Sequence, residues 1–155
     1  MNTRNTQALD KIKSLFESEA LAVLATQKDL QPYASLLAFA TDEALKQIFF
    51  LTPSTTRKYQ NLVASPRVAL LINNSRNQVA DIHNAIAITA TGIATEISGS
   101  ERKIHQTGFL KRHPHLEKFA TDPTTAMFRV TVDRYFMVSQ FQKVVEIEMM
   151  PDGQE

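Results

Sequence analysis

The chain has no cysteine. That excludes disulfides, thiolate nucleophiles and cysteine-ligated metals, so redox chemistry here needs a bound cofactor. Glycine is scarce. Gly92, Gly99, Gly108 and Gly153 are the whole supply, and neither a GxGxxG loop nor a Walker A loop can be written with them. A nucleotide phosphate would have to be held by side chains and helix N–H groups. Excess charge is also missing: 17 basic residues offset 16 acidic ones, for a net charge of +1. A dedicated nucleic-acid binder would show a strong basic excess. Long apolar runs are absent as well. The most apolar stretch, residues 85–97, is interrupted by threonines and is too short to span a bilayer. Residues 1–12 lack the apolar core of a signal peptide. The expectation is a cytoplasmic protein with neither membrane nor nucleic acid as partner.

What is present is ordinary for a globular protein: 155 residues, 43% hydrophobic and 21% charged. That length suits one domain, 1–155, with a core large enough to need no staples. The chain turns on residues 48–63, IFFLTPSTTRKYQNLV. The apolar run 48–51 reads as the end of a buried strand. Thr52-Pro53-Ser54 breaks it, and Ser54 or Thr55 can cap a helix over 56–64. Arg57 and Lys58 then fall in the first turn, where cations oppose the helix dipole. Two readings stay open at this point. One is a capped surface helix with two solvated bases. The other is an anion site, since a helix N-terminus and two cations both attract phosphate.

Along the rest of the chain, residues 6–18 predict a helix. Leu9, Ile12, Leu15 and Phe16 share one face, and Asn5 or Thr6 is the expected cap. Apolar runs at 20–26, 32–40 and 46–52, joined by short polar turns, predict an antiparallel meander. Residues 67–73 predict a fourth strand with Val68, Leu70 and Ile72 on one side. Residues 73–84 read as a polar loop, either merely solvated or reaching a ligand. A long strand over 85–98 has Gly92 as a bulge position. Ser98-x-x-Glu101 is a capping-box pattern opening a helix to Arg112. One more turn is expected at 116–119, then strands over 125–138 and 144–149, with a frayed tail at 151–155. The cluster Lys111-Arg112-His113-Pro114-His115 suits a helix C-terminus. A metal pair at His113 and His115 and a substrate-anion patch are its alternatives. Tyr135 and Phe136 read either as core or as an apolar substrate face.

The order strand, Thr52, hydroxyl-rich turn, Arg57-Lys58, Asn61-Leu62, then Pro66-Arg67-Val68-Ala69-Leu70-Leu71 resembles the pyridoxamine 5'-phosphate oxidase family. The close match covers residues 49–71; the order of elements agrees over 8–148. The resemblance implies a mainly β fold with inserted helices, a six-stranded antiparallel split barrel pairing two subunits. It implies FMN as cofactor, in a small flavin-dependent oxidoreductase of unassigned substrate. Arg57 and Lys58, with Thr52 and Thr56, would hold the phosphate, Leu51 and Thr55 would join the cofactor site, and strand residues Tyr33, Ala34, Ser35 and Leu36 would flank the ring. Ser75, Arg76 and Asn77 would reach the phosphate, across the subunit boundary of a homodimer. No catalytic acid or base and no metal site is expected. The alternatives are a deazaflavin or haem on the same scaffold, or a non-enzymatic flavin-binding sensor. The chain has no arginine–histidine motif near its end of the kind that grips substrate phosphate in the pyridoxamine phosphate oxidases. Pyridoxamine phosphate is therefore not the expected substrate.

Overall fold

The computed structural model describes residues 2–149; the tail 151–155 lies outside them. Its strands are β1 (Leu21–Lys28), β2 (Gln31–Ala38), β3 (Ala40–Thr41), β4 (Gln47–Pro53), β5 (Arg67–Asn73), β6 (Ala87–Ile97), β7 (Thr125–Ser139) and β8 (Lys143–Glu148). The helices are α1 (Thr3–Ser18), α2 (Arg57–Ala64), α3 (Asp81–Asn84), α4 (Gly99–Arg112) and α5 (Glu117–Thr121), with a 3-10 turn at Pro114–Leu116. All strand pairings are antiparallel, in the order β2-β1-β5-β6-β7-β4-β3, with β8 on β7.

The architecture is mainly antiparallel β with helices, a sheet curled around its core. The expected count of six strands is corrected to eight. The run 32–40 is one apolar stretch in sequence, but it changes partner at Phe39. Before Phe39 it pairs with β1, and after it with β4. The two ends of the strand order are thus joined through one residue, which is what curls the sheet. The last apolar run adds β8 as a hairpin extension of β7.

The core follows strand alternation. Leu24, Leu70, Ile72, Ile88, Ala90 and Val130 point inward and are fully buried. α1 adds Ile12, Leu15 and Phe16, each worth about 1.5–3 kcal/mol of burial. Phe16 meets Phe39 and Tyr135 edge-on, at centroid separations of 5.5 and 5.9 Å. Tyr135 is therefore core, its hydroxyl donating to the Leu45 carbonyl at 2.7 Å. A second cluster, with Phe49, Leu51, Ile97, Phe109 and Met127, lies beneath α4 and α5. On the outer face of the sheet, Leu36 and Leu71 flank Val23 with Leu21 beyond it, and Val138 stands opposite Val144, the two exposed groups being separated by β6.

Local signals held in part. α1 starts at Thr3, and its cap is Asn2, whose side chain accepts from the Arg4 N–H at 3.1 Å; Asn5 and Thr6 lie inside the helix. The Ser98–Glu101 capping box does not form. Ser98 makes no capping bond, and the Glu101 carboxylate is taken by Arg129. The loop 73–84 contains the short α3. The Asp81 carboxylate accepts the N–H groups of Arg76 and Gln78 there, and those bonds hold it below the usual carboxylate range. The bulge at Gly92 forms, with the β6–β7 register shifting between Thr91 and Gly92.

The cluster 111–115 does end a helix, with Lys111 and Arg112 in the last turn of α4. Arg112 also donates to the carbonyls of Phe16 and Glu19, closing the C-terminus of α1, and sits 5.0 Å over the Phe39 ring. His113 is buried, with Nε2 2.8 Å from the Phe39 carbonyl oxygen. A carbonyl only accepts, so Nε2 carries the proton. No group of metal-ligating side chains occurs among the described residues.

Two outcomes follow for stability. A Cβ at Gly92 would overlap the Thr131 carbonyl oxygen, a backbone atom with little room to yield. Gly92→Ala should lower unfolding free energy by roughly 2–4 kcal/mol in urea denaturation; a loss under half a unit would show that the bulge relaxes. Burial, then the Arg112 and His115 charges, pushes the His113 pKa below its ordinary value, against the opposing Phe39 bond. The unfolded chain then takes up this proton more readily than the folded one. His113 should therefore contribute stability above the ordinary histidine value, lost as pH falls from about 6.5 toward the lowered native pKa. His113→Gln should flatten the slope of stability between about pH 7 and 5; an unchanged slope would assign it to other groups.

Candidate functional site

The site is built where β4 hands over to α2. β4 runs to Pro53, and the Thr56 N–H closes the turn on the Pro53 carbonyl at 3.2 Å. Thr56 is consequently the helix cap, accepting from the Tyr59 N–H at 3.2 Å. Ser54 and Thr55 sit two residues and one residue too early and remain exposed on the turn. The Thr52 and Thr56 hydroxyl oxygens are 2.9 Å apart, and Thr52 is buried. Leu51 faces the other way, into the cluster beneath α4, so only its backbone belongs to the turn.

Asn61, a weak helix former in mid-helix, has a structural task. Its Nδ2 donates to Thr26 Oγ1 at 3.1 Å within the core, and the Thr26 hydroxyl reaches the Tyr33 carbonyl at 3.5 Å. This chain of bonds ties α2 to the β1–β2 hairpin. The Tyr59 hydroxyl adds a bond to Glu96, which with that carboxylate's charge raises the phenol pKa. The result holds the Arg57 guanidinium 5.7 Å over the Tyr33 ring. Lys58 is half-buried, and loss of hydration lowers its pKa. Among the described residues neither Arg57 nor Lys58 forms an ion pair, and the first turn of α2 holds no acid. Two unpaired cations, one partly desolvated, at the N-terminal turn of a helix make a place prepared for an anion.

Beside this turn a cleft of ≈ 390 Å³ is lined by Lys28, Asp29, Gln31, Tyr33, Arg57 and Gln60. The β1–β2 turn that supplies Lys28 and Asp29 is a two-residue hairpin, with Asp29 and Leu30 both at positive φ. Sequence reasoning placed this turn but missed its part in a cleft.

The remaining expected residues divide. Tyr33 and Ser35 share one face of β2 with Leu37; Ala34 and Leu36 lie on the other and are exposed. The Ser35 hydroxyl oxygen is buried without a hydrogen-bond partner among the described residues, a polar atom available to a ligand. Ser75, Arg76 and Asn77 do not join Arg57 within one chain. Arg76 pairs with Glu19 at 3.2 Å, just before β1 begins, whereas Arg57 lies over Tyr33, near the far end of that strand. The length of β1, about 20 Å, separates the two groups.

The comparisons with known proteins agree with this architecture. The family model described as pyridoxamine 5'-phosphate oxidase matches residues 8–139. The chain belongs to the pyridoxamine 5'-phosphate oxidase family. No curated protein is a significant match. Among solved structures, a haem-binding protein from Mycobacterium smegmatis aligns with TM-score 0.80 at 15% identity, over 91% of this chain and 57% of that one. The chain thus spans little more than half of that protein's length. An FAD-binding protein from Mesorhizobium loti aligns with TM-score 0.67 at 18% identity, over 84% of this chain and 90% of that one. HutZ, the haem storage protein from Vibrio cholerae, aligns with TM-score 0.68 at 16% identity, over 79% and 88% of the two chains. At these identities the likeness is one of fold. Among the described residues no helix is long and apolar enough to cross a membrane.

Proposed function

We propose that this protein is a cytoplasmic FMN-dependent oxidoreductase that binds its flavin at a homodimer interface. The observation that carries the reading is the α2 turn, where unpaired Arg57 and half-buried Lys58 stand beside the Thr52 and Thr56 hydroxyls. A flavin phosphate satisfies both cations, through charge-assisted bonds worth about 1.5–3 kcal/mol each. Tyr33 and the buried Ser35 hydroxyl then stand along the path of the ring. The flavin, when bound, supplies hydride or electron transfer at its ring; the protein supplies position and charge.

The dimer is supported by two exposed apolar groups on one sheet face, Leu21, Leu36 and Leu71 on one side of β6 and Val138 and Val144 on the other, surface that a monomer leaves in water. The proposed shared site needs a second chain, since Ser75, Arg76 and Asn77 do not reach the phosphate turn of their own chain, and a two-fold pair is the commonest such assembly.

Haem is the second reading, favoured by what two of the structural relatives bind or store. Histidine placement weighs against it. His113 is engaged with Phe39, His105 stacks on Phe49 at 4.3 Å and His83 packs on Phe141, and none of the four histidines lines the α2 cleft. An absorbance spectrum distinguishes the two, since a haem Soret band differs from the paired bands of a flavin.

Arg57→Ala should weaken FMN binding by roughly 1–3 kcal/mol, tenfold or more, in a fluorescence titration; unchanged affinity would remove the phosphate from this turn. The dimer should bury above about 2,000 Å² in total and persist at low micromolar protein in sedimentation. A monomer binding FMN at full affinity would refute the shared site.

A further inference from the structure

The strand that carries Tyr33 and Ser35 ends against a buried histidine. β2 runs to Ala38 and β3 starts at Ala40, so Phe39 between them lies outside the registers with β1 and with β4. Side chains fix its place instead. His113 Nε2 donates to its carbonyl at 2.8 Å, the Phe16 ring meets it edge-on and Arg112 lies 5.0 Å over it. Because Nε2 already carries its proton, a further proton can add only at Nδ1. Among the described residues Nδ1 has no hydrogen-bond partner. The imidazole is bounded by the Phe109 ring at 4.9 Å and the His115 ring at 6.0 Å, and the charges that act on it are those of Arg112 and His115. From α1, Glu17 acts on Arg112 and not on His113. A buried imidazolium beside Arg112 and His115, with no acid to answer it, is costly in the closed arrangement and less so once the crossing opens to water.

We propose that His113 is a positioning residue that ties flavin retention to pH. The neutral imidazole keeps the crossing at Phe39 closed and β2 seated beside the ring; its protonation opens the crossing and releases the flavin. The inference rests on the flavin reading above. Protonation and flavin binding then oppose each other, so by linkage a bound flavin also weakens the hold of His113 on its proton. The sign follows from burial, which pushes the pKa of this histidine below its ordinary value. Binding is full above about pH 6.5 and is lost as pH falls through the lowered native value.

The test is a series of FMN titrations of the full chain between about pH 7.5 and 5, followed by flavin fluorescence. FMN has its own titrating phosphate, near about pH 6, so the parent is compared with His113→Gln, where that contribution is the same. Glutamine keeps an N–H donor for the Phe39 carbonyl and takes up no proton. The two proteins should bind FMN alike at about pH 7.5, and the parent should lose about tenfold more affinity than the variant by about pH 5. A second measurement needs no variant. The ring C–H resonances of the four histidines are followed by NMR against pH, with and without saturating FMN. The histidine of lowest midpoint should titrate about one pH unit lower in the FMN complex. Equal pH dependence in parent and variant, or a midpoint that FMN does not move, would overturn the role of His113 and leave the flavin reading standing. If the variant does not fold, the midpoint alone decides. Failure of the parent to bind FMN at any pH would overturn the flavin reading and this inference with it.

Discussion

The fold depends on the passage of the chain through Phe39. One extended segment serves two halves of the sheet there, leaving β1 and joining β4. The residue at the crossing is held from three sides: the Phe16 ring meets it edge-on, Arg112 covers its ring, and His113 binds its carbonyl. Those contacts come from α1 and from the end of α4. Two helices that are remote in sequence are thereby fastened at the point where the sheet curls. A buried cation–ring contact and a buried hydrogen bond each hold only while their neighbours stay in place, so the closure behaves as a unit.

The candidate site inherits its geometry from that closure. β4 must be seated for its last residues to deliver Thr52 and Thr56, and the β1–β2 hairpin must be seated to deliver Tyr33. Asn61 and Thr26 then lock the two sides together. The helix start is accordingly tied to both its neighbours while Arg57 and Lys58 form no ion pair among the described residues. That combination is the ground for proposing a phosphate site at this turn rather than a capped surface helix.

Much of this was legible in the residues. The strands announced themselves as short apolar runs between polar turns, and Gly92 by being a lone glycine in a strand. The basic pair stood out because it opposes the helix dipole. Other features were not legible, for physical reasons. The break at Phe39 is a change of partner inside an unchanged apolar run, so composition cannot mark it. Ser54 and Thr55 were the expected caps of α2, but the turn that closes on the Pro53 carbonyl gives that place to Thr56. The capping pattern at Ser98 was correct locally but lost its glutamate to Arg129, 28 residues away. The Asn61–Thr26 bond spans 35 residues, beyond any local pattern. The cleft side chains come from a hairpin turn whose Asp-Leu pair lacks the glycine that usually advertises such turns.

The pairing of β4 has a consequence for how the molecule is made. Its long partner is β7, with Gln47 opposite Thr131, so the two strands meet across about 80 residues of chain. During synthesis the β1–β2 hairpin can close early, but β4 leaves the ribosome with nothing to pair with except the two residues of β3. The turn that presents Arg57 and Lys58 is thus translated in the first half of the chain and finished only when β7 arrives. Until then the edge of β4 is an open template for wrong pairing. On the proposed reading, an anion arriving early would find two cations but no framework, and ligand capture would belong to the last stage of folding.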